Sequence, residues 1–357
     1  MTMNIIDYLL KYKDTSFKEM PFNEVDALAL ADFSYVDFSN LKLDKERINS
    51  RRLSNLIDNY HPTNEDSERK LNYLKVASLI CEGKRYSGAK YVHFRKIRDE
   101  ASEKQFQAIT IIVKDFIYIS FCGTDSTVLG WKEDFNMAVL QTVPSEVEAI
   151  KYADMVASKH WFRKIYLGGH SKGGRLAISA AKGMKSKRRI AAIFSFDAPN
   201  YPSAAYDDLY RQIDSKILAY APNESIIGRL MNEYSQKRIL KSSNSLLMQH
   251  DTFSWLIDNR SFIYESDYTE KSTRIVHAIN NALNTYDEET KHQFIDTLFD
   301  FFEKLNIEKL PNEKEFFVFF MKRIPSLFGA WRDTPKENRS VVKKIIFDIL
   351  KDYFFSK

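Results

Sequence analysis

Glycine is scarce in this chain: 11 of 357 residues, with nine prolines and only two cysteines. The cysteines, Cys81 and Cys122, are too few for a disulfide framework and fit a reducing compartment. No stretch reaches the ~20 consecutive apolar residues that a membrane-spanning helix needs. The N-terminus, Met1 to Leu10, has no basic leader and is interrupted by Asp7. It reads as an amphipathic helix rather than a secretory signal, so a cytoplasmic location is expected. An excess of one charge is also missing. The 53 basic residues against 48 acidic ones leave +5, too even for a nucleic-acid partner. The short basic run Lys185 to Arg189 reads as a solvated helix-to-strand connection. There is no internal repeat, no low-complexity linker and no Cys/His ligand cluster, so no metal or organic cofactor is implied.

What the chain does have is a concentration of its rare glycine. Gly168, Gly169, Gly173 and Gly174 fall together in Leu167-Gly168-Gly169-His170-Ser171-Lys172-Gly173-Gly174. Gly169 to Gly173 fits the G-x-S-x-G nucleophile elbow, which exposes a serine hydroxyl on a sharp turn between a strand and a helix. Lys164 to Leu167 reads as a short buried strand before it. Gly174, Ala177, Ala180, Ala181 and Met184 recur at helical spacing after it, with side chains small enough to pack close to a sheet.

The surrounding pattern predicts a mostly parallel sheet flanked by helices, an α/β-hydrolase fold. Residues up to about Cys81 read as helical, including Asp26 to Phe33. Tyr91–Ile97 and Phe106–Val113 read as a hairpin around Asp99-Glu100, and Phe116–Phe121 as a third strand. Pro144 opens a helix with Ser145 and Glu148 at capping-box spacing. Ala191–Phe196 and Lys216–Tyr220 read as further buried strands. From about Tyr268 strand signals vanish. Helices are predicted over 271–286, 288–305, 313–323 and 339–355. Two regions follow: a hydrolase domain over 1–267 with its helical N-terminal segment, and a helical C-terminal region over 268–357 packed on the core.

A serine nucleophile needs a base, an orienting acid and an oxyanion hole, in the chain order Ser, acid, His for this fold. His250 lies in a loop past a late strand and is the candidate base. His277 and His292 sit inside helical patterns and read as ordinary helix histidines. Two carboxylates compete for the acid. Asp197 and Glu224 each follow a probable parallel strand, at the end where open α/β sheets build their sites. Glu224 is favoured because the acid usually comes from the strand nearer the histidine, with Asp197 as the alternative. The N–H groups of Lys172 and Thr124 are the oxyanion candidates. Asp134 either pins the Thr124 loop or is an ordinary helix-start carboxylate.

Phe121-Cys122-Gly123-Thr124-Asp125-Ser126 with Trp131 and Asp134, followed by Gly169-His170-Ser171-Lys172-Gly173-Gly174, resembles the paired motifs of class 3 (fungal-type) lipases. More closely, the chain resembles a bacterial lipase-like family that is a domain of unknown function. The shared blocks are Pro21 to Leu30 with Ser34-Tyr35, and Gln249-His250-Asp251 with Ser254-Trp255. The resemblance implies Ser171 as nucleophile, His250 as base, and Thr124 with Lys172 as oxyanion hole. The chain departs from the lipases at Lys172 for Leu, Cys122 for Arg, and Glu224 near the place of Asp. The expected activity is a serine ester hydrolase acting on a small or lipid-like acyl ester. The rival expectation is a weak or inactive α/β-hydrolase-fold binding protein. Phe316 to Phe320, with Phe328 and Trp331, are expected either to pack in the core or to form an acyl-chain or peripheral membrane contact.

Overall fold

The near-continuous apolar runs around the elbow are the pattern of strands buried on both faces. A computed structural model describes residues 2–41, 47–60, 62–63, 66–124, 128–137, 142–231, 237–304, 329 and 331–355. From the N-terminus come α1 (Ile5–Tyr12), α2 (Glu24–Phe33), β1 (Ile48–Asn49), α3 (Ser50–Asp58), α4 (Glu68–Glu82), β2 (Lys90–Asp99), β3 (Lys104–Ile112) and β4 (Phe116–Phe121). The central part holds α5 (Val128–Met137), α6 (Pro144–Lys159), β5 (Lys164–His170), α7 (Lys172–Gly183), β6 (Ile190–Phe196), the one-turn α8 (Asp208–Arg211), β7 (Ile217–Pro222) and β8 (Arg238–Leu240). A small hairpin, β9 (Ile257–Asp258) and β10 (Ser261–Phe262), precedes α9 (Glu270–Thr285), α10 (Glu288–Lys304) and α11 (Lys336–Phe355).

Strands β1 to β8 form one sheet in chain order. The first four pair antiparallel, and β4 through β8 pair parallel. Helices cover both faces, giving the α/β-hydrolase architecture. On one face Ile117, Ile119 and Leu167 pack with residues of α6 and α7. On the other, Tyr118, Phe194 and Phe196 meet α1, α2, α4 and Trp255. Helix α2 lies directly on the sheet. Tyr118 Oη donates to the Ala27 carbonyl at 2.9 Å and Ser120 Oγ to that of Leu30 at 2.6 Å. Val25 through Phe33 are all buried, so the helix needs no polar stripe. Its buried Asp26 is neutralised by Arg85, at 2.5 Å.

The structure adds strands where helix alone was expected or nothing was read. β1, β8, β9 and β10 have two or three residues each, too few to show a period of two. The C-terminal helices brace elements near the elbow. Asn280 of α9 accepts the Met231 N–H at 2.8 Å, and Asp296 of α10 pairs with Lys132 of α5 at 3.1 Å. Phe299 meets Phe135 edge-on, with ring centroids 5.6 Å apart. The helix expected over 313–323, with Phe316 to Phe320 and Phe328, lies outside the described residues. No helix among the described residues is long and apolar enough to cross a membrane.

Candidate active site

Ser171 sits between the last residue of β5 and the first of α7, with φ 57° and ψ −133°. A non-glycine residue held there costs about 1–3 kcal/mol, which the surrounding structure must over-determine. Two hydrogen bonds help fix it. The Ser171 N–H donates to the Phe196 carbonyl at 2.8 Å, and the Ser171 carbonyl accepts the Gly174 N–H at 2.9 Å. The flanking glycines serve close approach: a Cβ on Gly169 would strike the Gly173 backbone and the Phe121 carbonyl. The serine is 8 % exposed.

His250 ends a 3-10 turn, Leu246–His250. Its Nδ1 lies 2.6 Å from Oδ2 of buried Asp197. Asp197 follows β6, with φ 45°. Because His170 of β5 pairs with Phe196 of β6, Asp197 stands level with Ser171 on the adjacent strand. Its other oxygen accepts Ser225 Oγ at 2.5 Å, and that hydroxyl accepts the Gly228 N–H at 3.1 Å. A Cβ on Gly228 would collide with Asp197 Oδ1.

The expected pairing of Glu224 with His250 is therefore corrected. Glu224 lies one strand further away and two residues beyond β7. Its carboxylate accepts the Leu246 N–H at 2.8 Å, and its own N–H donates to Gln249 Oε1 at 2.8 Å. It grips the turn that carries His250 without touching the ring. Trp255 Nε1 donates to the Gln249 carbonyl at 2.7 Å, tying that turn to the core. The Gln-His-Asp and Ser-Trp blocks are thus one structural unit around the histidine.

His170 packs against His250, ring centroids 4.5 Å apart. Burial, followed by the neighbouring His250, holds His170 far below the usual imidazole range. It stays neutral and adds no charge beside His250. Its Nδ1 lies 3.0 Å from Tyr35 Oη, and Tyr35 stacks on Tyr73 with centroids 4.4 Å apart. The sequence reading gives no site role to Tyr35, Ser225 or Gly228. Nothing local marks them as neighbours of a site built from distant strands.

Thr124 Oγ1 donates to Asp134 Oδ2, so Asp134 of α5 does hold the Thr124 loop. Burial pushes the Asp134 carboxyl up to about 6, while Lys172 pulls the other way. Lys172 opens α7, where a backbone N–H has no intrahelical acceptor. Its side chain turns inward. Nζ donates to the Gln105 carbonyl at 3.1 Å and to Gln105 Oε1, and lies 3.2 Å from Glu133 Oε2. The lysine that replaces leucine is a buried strut between β3, α5 and the elbow. His277 and His292 lie on α9 and α10, away from this constellation. Among the described residues no cluster of three His, Cys, Asp or Glu could hold a metal ion.

A sheet that runs parallel from β4 to β8, with a strained serine at the turn after β5 and a buried Asp–His pair beside it, defines a lipase-like α/β-hydrolase domain. The Mbeg1-like family profile matches residues 80–300, and the chain belongs to that family. Among solved structures it is similar to one titled "Crystal structure of M37 lipase", at 15 % identity over 59 % of this chain and 70 % of that one, with TM-score 0.38. No curated protein matches the sequence.

Proposed function

We propose that the chain is a serine ester hydrolase working through an acyl-enzyme. The observation that carries this reading is the 2.6 Å contact between Asp197 and His250, level with the strained Ser171. A buried carboxylate on Nδ1 fixes the tautomer that leaves Nε2 free to accept a proton. Ser171 Oγ attacks the ester carbonyl carbon while His250 Nε2 takes the hydroxyl proton. The N–H groups of Lys172 and Thr124 hold the oxyanion. The intermediate collapses, the C–O bond to the alcohol breaks, and His250 returns the proton to the leaving oxygen. Water, deprotonated by the same imidazole, then releases the carboxylic acid and restores Ser171.

The test is hydrolysis of short p-nitrophenyl esters by the full chain. Ser171→Ala is expected to lose activity to background with an unchanged melting temperature. A Ser171→Ala protein that keeps most of the wild-type turnover contradicts the proposal.

A further inference from the structure

We propose that the end of the sheet opposite the candidate active site docks on an anionic lipid surface. The parallel strands begin there: Phe116 of β4 pairs with Lys164 of β5, and Ile165 with Ile190 of β6. The turn between α6 and β5 presents Trp161 and Phe162, 73 % and 70 % exposed, in edge contact at 5.5 Å. Rings so exposed contribute little to the fold. Single exposed apolar side chains are ordinary, but an adjacent Trp-Phe pair at a turn tip is a ready insertion element.

Basic residues surround the pair: Lys159, Arg163, Lys164, Lys187, Arg188 and Arg189. None of the six pairs with a carboxylate among the described residues. Arg163 donates to the carbonyls of Val113, at 2.7 Å, and Lys114. Arg189 donates to the carbonyls of Ala157, at 2.8 Å, and Arg163, at 3.0 Å. Main-chain carbonyls orient these guanidinium groups but do not cancel their charge. A surface depression of about 510 Å³ lies between the Trp161–Phe162 turn and Arg188–Arg189.

Basic residues around two protruding rings, in excess over the neighbouring carboxylate of Asp115, match a bilayer with anionic headgroups. The indole and phenyl enter the interface, and the cations meet lipid phosphates. A nucleic acid would share the phosphate contacts. However, the two rings stand at 85° to each other, so successive bases cannot stack on both as they do on a stacking platform. The seven residues of β5 separate this face from Ser171 by roughly 20 Å at the usual strand rise. The docked chain would hold its elbow away from the bilayer, so the face is an anchor and not a cover for the site. The inference does not depend on the hydrolase proposal.

The experiment is co-sedimentation of the full chain with vesicles of phosphatidylcholine alone and of phosphatidylcholine with phosphatidylglycerol. Binding is expected on the anionic vesicles only, weakening as salt rises. Trp161→Ser with Phe162→Ser, and separately Lys187→Glu with Arg188→Glu, should each weaken it by at least about tenfold. Melting temperature and short-ester hydrolysis should stay at wild-type values. Absent binding, equal binding to both vesicles, or undiminished binding by the variants overturns the proposal. Binding to a mixed-sequence oligonucleotide without vesicle binding assigns the face to nucleic acid and overturns it equally.

Discussion

Exchanging the Asp197 carboxylate for an amide alters one hydrogen bond at His250 and little of the shape around it. In Asp197→Asn the Oδ1 position can still accept from Ser225 Oγ, now 2.5 Å away. That choice turns the amide nitrogen toward His250 Nδ1, which is 2.6 Å from Oδ2 in the wild type. An N–H donor there demands an unprotonated Nδ1, so the imidazole proton moves to Nε2. Nε2 can then no longer accept the serine proton. The corresponding change in a serine protease triad lowers kcat by about 10⁴, or about 5.5 kcal/mol of barrier. A loss on that scale is expected here. Glu224→Gln is the matched control. A glutamine Oε1 still accepts the Leu246 N–H, so the turn survives and kcat should change by no more than a few-fold. The assay is kcat and kcat/KM on a short p-nitrophenyl ester, with melting curves for both variants. A folded Glu224→Gln protein with the larger loss, beside a nearly normal Asp197→Asn protein, would refute the reasoning.

Gly228→Ala places a methyl group against Asp197 Oδ1 and should depress kcat more than it depresses stability; equal kcat would contradict the contact. Asp134 has a carboxyl raised to about 6 by burial, so its contribution to stability is present below the unfolded value and lost as pH rises through about 6. Asp134→Asn removes that dependence, so the variant should gain stability relative to wild type, on the order of 2 kcal/mol, between pH 4 and pH 7.5. A difference in urea midpoint that does not change with pH would count against it. Tyr35→Phe leaves buried His170 Nδ1 without its partner and should cost about 1–3 kcal/mol in chemical denaturation, whereas an unchanged midpoint would show that the contact contributes nothing.

The elbow was legible because its demands are local. Glycines two residues before and after a serine, a short strand and a small-residue helix are all written between Lys164 and Met184. The hairpin and the parallel strands were legible from apolar runs for the same reason. The acid was not. Asp197 and Glu224 have equivalent sequence settings, each just past a buried strand, and only the order of strands across the sheet separates them. Nearness to His250 along the chain favoured Glu224, yet β6, not β7, lies beside the serine strand. The Lys172 side chain likewise carried no assignment, because Gln105 and Glu133, which bury it, come from β3 and α5. Helix α2 was recognised as helix, but its position across β4 to β6 depends on backbone carbonyls bonding Tyr118 and Ser120, which leave no signature in α2 itself.

The central claim is that Ser171 is a nucleophile activated by His250. Covalent labelling by a fluorophosphonate, followed by intact-mass and peptide analysis, measures that directly. The account predicts one adduct per chain, located on Ser171, absent in Ser171→Ala and greatly slowed in Asp197→Asn. A folded wild-type chain that stays unlabelled at high probe concentration, or carries its adduct on another residue, would contradict it.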